Sequence, residues 1–182
     1  NWDMHPQMAT VREGVMKKEI FEEHYSTEIV EVDVNAILKD EDFVVKIIDR
    51  QIKESGVNLK DAPIIVAGGY GVGSKDNFDL LVELAQLLGG EVGGSRAAVD
   101  AGFIEHNRQI GQTGTTVRPK LYIAAGISGA IQHTAGMQDA SMIISINNDP
   151  DAPINKIADY VINGDIAVVV PKMIKYYKQN AK

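Results

Sequence analysis

The sequence contains no cysteine, so it can form no disulfide and offers no thiolate to a metal, a substrate or a flavin. It also lacks any apolar run near the roughly 20 residues that a membrane-spanning helix needs. The start of the chain, Asn1 to Pro6, does not have the order of positive and then apolar residues that is typical of a signal peptide. We therefore expect no membrane insertion, and a location in the cytoplasm or in an organelle matrix.

Positive charge is scarce as well. The chain has 18 lysines and arginines against 25 acidic residues, a net charge of −7. Nucleic-acid binding depends on neutralising phosphates, so we expect no nucleic-acid partner. The four histidines form no H-x-x-x-H pair, so no metal site is expected. Neither a G-x-S-x-G elbow for a nucleophilic serine nor a phosphate-binding G-K-[ST] loop occurs.

The 182 residues suit one domain with an arm. We interpret the polar, weakly periodic residues 1–26 as an N-terminal arm and residues 27–182 as the domain. The segment 27–34 alternates acidic and apolar residues, which predicts a half-buried edge strand. The apolar spacing from Phe43 to Lys53 predicts a helix that the acidic run before it would cap.

From residue 63 onward, buried strands and helices alternate. Strands are predicted at 63–67, 120–125, 142–146 and 160–162, and helices at 78–88, 130–135 and 167–179. This order favours the α/β class, with a doubly wound, mostly parallel, Rossmann-like sheet. Such sheets bind ligands beyond the carboxyl ends of their strands. Glycine and small polar residues follow each predicted strand, at 68–74, 93–96, 126–129, 147–149 and 163–165.

Two of these turns are candidate phosphate sites. The loop from Gly68 to Ser74 spaces its glycines G-x-G-x-G, which differs from the dinucleotide fingerprint G-x-G-x-x-G, and a plain tight turn explains it almost as well. The turn from Gly126 to Gly129 opens a predicted helix, where bare N–H groups and the helix dipole favour an anion.

Other candidates have equally plain explanations. Arg96 could be a solvated arginine, His133 a satisfied core histidine, and the 111–116 loop a turn without a ligand. Asn147, Asp149 and Asp165 could meet a ribose or an adenine, or could cap local structure. Because no side-chain motif for covalent chemistry is present, a bound nucleotide cofactor would have to supply any reactivity.

Several segments identify a family. Residues 119–153, with the run Gly-Ile-Ser-Gly-Ala-Ile-Gln-His from Gly126 to His133, closely resemble the alpha subunit of electron-transfer flavoproteins, and so do residues 95–102, 111–114 and 6–12. The part resembled is the C-terminal, FAD-binding domain of that subunit, with its N-terminal domain absent. The resemblance implies a heterodimer with a beta subunit. It also implies a redox carrier, rather than a substrate-converting enzyme, that passes electrons from acyl-CoA or other dehydrogenases to a quinone reductase or another acceptor.

The resemblance also implies roles for individual residues around FAD. Ser95 and Arg96 would approach the flavin, Thr113 would lie near its N5 edge, and His133 would face its pyrimidine side. Arg96, Thr113 and His133 would thus act on the reacting ring, with the guanidinium and the imidazole favouring added negative charge. The remaining cofactor contacts would come from Ile110, Gly111, Gln112, Ser128, Gly129, Ala130, Ile131, Gln132, Asn147, Asp165 and Ile166.

Tyr70 departs from the family pattern, since many members have arginine at this position. An aromatic ring there removes a cation and could stack or hydrogen-bond instead, and it raises the possibility of an electron-bifurcating branch that uses NADH through a second flavin on the beta subunit. Two other functions remain open at this point: a non-redox adenine-nucleotide binder, and an assembly module that holds no cofactor tightly.

Overall fold

A computed structural model describes residues 5–10, 28–50 and 58–180. The chain divides into two compact units, one formed by Val15–Glu54 and the other by Asn1–Gly14 together with Ser55–Lys182. Most of the arm predicted for residues 1–26 lies outside the described residues, and residues 5–10 are exposed. The division into an arm and a domain from residue 27 stays a prediction.

The smaller unit has little regular structure in its described residues 28–50. These contain one helical turn, α1 (Val34–Ile37), and a 3-10 turn, Asp40–Asp42. The strand predicted over 27–34 and the helix predicted over 43–53 are wrong where the residues are described, and Thr27 and residues 51–53 lie outside that range. Ile29, Val30 and Val32 are between 60% and 84% exposed. An alternating pattern makes a strand only when a neighbour covers its apolar face, and no described strand of this unit does so.

The larger unit contains five parallel strands in the spatial order β2-β1-β3-β4-β5. Their bounds are β1 (Ile64–Gly68), β2 (Glu91–Gly94), β3 (Leu121–Ala125), β4 (Ile143–Asn147) and β5 (Tyr160–Asn163). The prediction of an α/β domain with a parallel, Rossmann-like sheet is confirmed. The central strands are covered on both faces, which is why their sequences are continuous apolar runs.

Helices lie between the first four strands and after the last one. They are α2 (Lys75–Leu87), α3 (Arg96–Asp100) and α4 (Ile131–Thr134), followed after β5 by α5 (Ile166–Asn180). The side chain of Ser74 accepts the backbone N–H of Asn77 at 3.1 Å and so begins α2, and Gly89 follows the helix with a φ of 68°. The helix predicted over 130–135 is the single turn α4, with Ala130 and Ala135 as its two cap residues.

The two faces of the sheet are packed differently. Helices α2 and α5 cover one face, where Phe78, Leu81 and Val170 pack against Val66 and Ile123 of the strands. The opposite face is covered largely by loops, with Ile110, Val117 and Ile154 packed on Tyr122. None of the helices in the described ranges is both long and apolar enough to cross a membrane.

The strand register places the carboxyl ends level with one another. Gly68 at the end of β1 is paired with Gly94 of β2 and with Ala125 of β3. Asn147 at the end of β4 is in turn paired with Asn163 of β5. The loops that follow all five strands therefore begin at one edge of the sheet, where a ligand can contact several of them at once.

The buried sheet core predicts a clear stability contrast between two isoleucines. Ile146 is completely buried in β4, and Ile131 is 80% exposed. We expect Ile146→Ala to lower the free energy of unfolding by about 2–5 kcal/mol and Ile131→Ala to change it by less than about 0.5 kcal/mol. Urea denaturation at neutral pH measures both, and similar losses for the two variants would contradict the described core.

Candidate functional site

A cleft of about 740 Å³ lies at the carboxyl edge of the sheet. Its volume falls within the roughly 300–1,000 Å³ that is usual for ligand pockets. Every predicted turn except 163–165 contributes to its wall, so the turns converge on one rim. The lining residues are Gly69, Tyr70, Gly71, Ser95, Arg96, Ala97, Asp100, Gln109, Ile110, Gly111, Thr113, Gly126, Ile127, Ser128, Gly129, Ala130, Gln132, His133, Asn147, Asp149 and Ala152.

The loops after β1 and β3 touch through their backbones at the centre of the cleft. Gly69 donates its N–H to the carbonyl of Ala125 at 2.8 Å, and Gly71 donates to the carbonyl of Gly126 at 3.0 Å. A Cβ on Gly69 would collide with the Gly126 carbonyl. Close approach therefore explains these two glycines, whereas a positive φ, 81°, explains Gly73.

The loop after β3 forms a cradle of backbone donors. Gly126 and Gly129 have φ values of 61° and 91°, and between and after them the chain turns its N–H groups out of the sheet ladder. The backbone N–H groups of Ile127, Ser128, Gly129 and Ala130 have no acceptor among the described residues. Successive N–H groups of this kind bind anions, and phosphate is the common one.

Asn147 holds this cradle from β4. Its side-chain amide donates to the carbonyl of Ile127 at 2.9 Å, and its oxygen accepts the N–H of Asp149 at 3.1 Å. The side chain is buried. Asn147 thus lines the cleft, but its side-chain amide is hydrogen-bonded to the loop after β3 and to the loop after β4. This arrangement is the capping alternative raised from the sequence.

The rim of the cleft carries opposite charges on α3. Ser95 begins this short helix by accepting the N–H of Ala98 at 3.3 Å. Arg96 is the next residue, and its Nε lies 3.5 Å from the carboxylate of Asp100, one helical turn further along. Both side chains are about two-thirds or more exposed. Water screens such a pair strongly, so the guanidinium remains available to a ligand at the cleft mouth.

Two further residues shape the mouth. Thr113 is exposed, and its hydroxyl accepts a hydrogen bond from the side chain of the buried Gln109 at 3.0 Å. The ring of Tyr70 stacks on Phe103 with centroids 6.1 Å apart and planes inclined by 21°. The aromatic ring at position 70 therefore has a stacking partner within the chain itself.

His133 is buried and fully bonded. Its Nε2 lies 3.0 Å from the hydroxyl of Tyr122, and its Nδ1 lies 3.1 Å from the carbonyl of Ile110. Burial lowers its pKa to about 4, against a smaller raising effect of the Ile110 hydrogen bond. The imidazole is therefore neutral near pH 7, so its contribution to the cleft is a dipole and not a positive charge.

Four residues expected around the cofactor lie away from the cleft lining. The side chain of Gln112 is exposed, Ile131 is 80% exposed, and Ile166, the first residue of α5, is buried in the core beneath α2 and α5. Asp165 accepts the N–H of Ala167 at 2.8 Å and so caps the start of α5. Their cofactor contacts stay predictions, because no contact in the described residues directs them into the cleft.

Some lining residues were not predicted from the sequence: Ala97, Asp100, Gln109 and Ala152. Asp100 follows Arg96 by four residues, and this helical spacing could have indicated it. The other three carry no pattern that distinguishes them from ordinary core or loop residues. Within the described ranges, no group of three histidine, aspartate or glutamate side chains is placed to hold a metal ion.

Comparison with known proteins gives consistent matches. Residues 58–138 match the family model described as "Electron transfer flavoprotein FAD-binding domain". The chain is 50% identical over 178 residues to the electron transfer flavoprotein subunit alpha of Thermoanaerobacterium thermosaccharolyticum, which covers 97% of this chain and 53% of that protein. It is 53% identical over 175 residues to Protein FixB of Clostridium saccharobutylicum, covering 96% and 52%.

A third relative carries a more specific name. The acryloyl-CoA reductase electron transfer subunit beta of Anaerotignum propionicum is 48% identical over 180 residues, covering 96% of this chain and 48% of that protein. The chain thus spans about half the length of the curated relatives it matches.

The neutral, buried His133 predicts a pH dependence of stability. Its pKa is about 4 in the folded chain and 6.5 when exposed, so between these values the unfolded state binds a proton that the folded state does not. Stability should therefore fall as the pH drops from 6.5 to 4, by at most roughly 1.4 kcal/mol per pH unit.

Urea denaturation between pH 7 and pH 4.5 measures this effect. The slope that His133 contributes should disappear in His133→Asn and persist in His106→Asn, which removes an exposed histidine. An unchanged slope in His133→Asn would show that this imidazole is not kept neutral by burial.

Proposed function

Because the chain contains an electron transfer flavoprotein FAD-binding domain, with FAD as its cofactor, we propose that it is the electron-carrying module of an electron transfer flavoprotein alpha subunit. The cofactor would lie in the cleft at the carboxyl edge of the sheet. In this proposal the chain accepts and passes electrons without converting a bound substrate.

One observation supports this placement above the others. The N–H groups of Ile127, Ser128, Gly129 and Ala130 form a cradle with no acceptor among the described residues, and the cradle opens into the cleft. Ile127 and Gly129 are buried residues, and Ser128 and Ala130 are exposed at the cleft. Successive N–H groups without a protein acceptor fit an anionic ligand. The pyrophosphate of a dinucleotide is such an anion, and the cleft is large enough for the groups on either side of it.

The residues around the cradle suit a bound redox cofactor. When bound, FAD supplies one- and two-electron redox chemistry. The chain's own groups would orient it: Ser128 within the cradle and Gln132 just after it line the cleft, and Thr113 brings a hydroxyl to the mouth. Arg96 is the only lysine or arginine among the described lining residues, so it is the side chain whose positive charge favours an added electron.

The exposure of the mouth supports relay to other proteins. Arg96 and Thr113 reach solvent, and Tyr70 is 67% exposed. Electron transfer requires a short distance between redox groups and no closed substrate pocket, so an open rim is suited to it. The family resemblance implies a beta subunit as partner, acyl-CoA or other dehydrogenases as donors, and a quinone reductase or another acceptor. The same resemblance favours the bacterial cytoplasm or the mitochondrial matrix as the location.

An electron-bifurcating form of this relay is a second version of the proposal. Tyr70 favours it because an aromatic ring stacked on Phe103 replaces the cation that many family members have there. In this version NADH donates electrons through a flavin on the beta subunit. Reduction by NADH that requires the beta subunit, and that divides between two acceptors, would support it, whereas reduction by a single dehydrogenase donor would favour the simple relay.

Flavin absorption separates the proposed function from its alternatives. We expect the purified chain to show bands near about 370 and 450 nm and to release FAD on denaturation. Gly129→Ala should lower the amount of FAD that the purified chain binds, because Gly129 has a positive φ and a Cβ there would collide with Ile154. Gly89→Ala is the matched control, because Gly89 also has a positive φ, lies outside the cleft lining and has no atom within 4 Å of an added Cβ. A colourless chain that binds AMP but not FAD would favour the non-redox nucleotide binder, and one that binds neither would favour the assembly module.

Removal of the rim cation tests the electrostatic role of Arg96. We expect Arg96→Ala to lower the flavin reduction potential by roughly tens of millivolts, a modest change because the Arg96 side chain is 71% exposed and its charge is screened by water. Arg96→Lys should restore most of the potential. Lys172→Ala removes an exposed charge on α5 as a control. An unchanged potential in Arg96→Ala, with FAD still bound, would refute this role.

A further inference from the structure

A buried tyrosine, a histidine and a backbone carbonyl form a continuous hydrogen-bonded chain beneath the cleft. Tyr122 is completely buried in β3, and its hydroxyl lies 3.0 Å from Nε2 of His133 on α4. The other ring nitrogen of His133 lies 3.1 Å from the carbonyl of Ile110. Ile110 and His133 line the cleft, whereas Tyr122 does not.

Chemistry fixes the proton positions in this chain. A carbonyl can only accept, so Nδ1 of His133 must carry the hydrogen that meets Ile110. A neutral imidazole then has only a lone pair at Nε2, and the hydroxyl of Tyr122 must donate to it. Burial raises the pKa of the Tyr122 hydroxyl, which keeps it protonated as this direction requires.

The charged side chains that line the cleft do not interfere with this assignment. They are Arg96, Asp100 and Asp149, and no hydrogen bond or ion pair among the described residues joins any of them to His133. The surroundings of Tyr122 are mainly apolar, with Ile65, Ile127 and Met137 in the same core cluster. Protonation of His133 would therefore place a cation where no carboxylate balances it.

The hydrogen bonds from Tyr122 through His133 to Ile110 also help to fix the position of the loop that follows Ile110. That loop continues to Thr113 at the cleft mouth, and Gln112 donates its backbone N–H to the carbonyl of Gln132 on α4 at 2.7 Å. Helix α4 directly follows the backbone cradle. The loop is thus bound to α4 by the His133–Ile110 bond and by the Gln112–Gln132 bond, and a different ring orientation of His133 would break the first of these two bonds.

We propose that Tyr122 is a positioning residue of this site, whose hydroxyl holds His133 as the neutral Nδ1–H tautomer and thereby holds the Ile110–Thr113 loop against α4. The part of this proposal that concerns ligand binding rests on the proposed FAD site. Tyr122 itself touches no ligand in this proposal and acts through His133.

The tautomer can be measured in the wild-type chain without cofactor. Long-range proton–nitrogen NMR spectra distinguish a protonated Nδ1 from a protonated Nε2, and we expect the Nδ1–H form for His133. In Tyr122→Phe the ring keeps its packing but loses the donor to Nε2, so the pKa of His133 should rise by up to about 1. Tyr160→Phe, at a tyrosine that is 60% exposed, is the matched control and should leave it unchanged. An Nε2–H form in the wild type, or an unchanged His133 pKa in Tyr122→Phe, would overturn the proposal.

A double-mutant cycle then tests whether Tyr122 acts through His133. We expect Tyr122→Phe to weaken FAD binding roughly two- to tenfold in the wild-type background, as measured by quenching of flavin fluorescence. His133→Asn can still donate an amide hydrogen toward Ile110 but offers no ring nitrogen to Tyr122. In that background Tyr122→Phe should have no further effect on FAD affinity.

Two results of the binding cycle have distinct meanings. An equal loss of FAD affinity in both backgrounds would refute action through His133 and overturn the positioning role. A wild-type chain that binds no FAD would overturn the proposed function, while the tautomer and the His133 pKa, both measured without cofactor, would still decide whether Tyr122 holds the imidazole.

Discussion

The contact between two glycine loops at the centre of the sheet is the constraint on which the site depends. The end of β1 is level with the end of β3, and Gly69 and Gly71 donate directly to the backbone beyond it. Without side chains between them, the two loops approach closely enough to leave the N–H groups of residues 127–130 outside the sheet ladder and at the cleft wall. A side chain at Gly69 would push the loop after β3 away and would remove the cradle along with the contact. The anion site is therefore a consequence of strand register and glycine placement, and only secondarily of particular side chains.

The polar side chains nearest this cradle mostly hold protein structure in place. Asn147 bonds two loops through one amide, Ser95 begins α3, and His133 links the Ile110 loop to β3. Such internal bonds fix the geometry of the cleft before a ligand arrives, which reduces the ordering cost of binding. They also explain why the family-implied ligand contacts include residues whose polar atoms already have partners within the protein.

A structural feature of this protein could be predicted from the sequence when the residues that determine it lie close together in the chain. The strands of the larger unit and the turns that follow them were predictable, because apolar runs bounded by glycine have the same meaning wherever the strands pair. The segment 27–34 carries an equally regular pattern but forms no strand in its described residues, because a pattern of alternation cannot supply the neighbour that covers it. At the site, Arg96 and the 126–129 turn were recognisable from their position after a strand. Asp165 was not distinguishable from a helix cap, and Gln109 gave no signal because its role arises from a contact with Thr113.

The charge state of His133 illustrates the limit most clearly and has the largest consequence for function. The family resemblance implies that its imidazole favours added negative charge on a reduced ring, yet its charge state is determined by burial and by two partners that lie 11 and 23 residues away. With the imidazole neutral, the buried side of the cleft carries no charged side chain among the described residues, and Arg96 lies at the solvent-exposed rim beside Asp100. A rim charge changes the potential only modestly because water screens it. In the proposed FAD site, the buried part of the cleft would therefore act on a bound ring through fixed dipoles such as that of the His133 imidazole, whose effect is stronger where water is excluded.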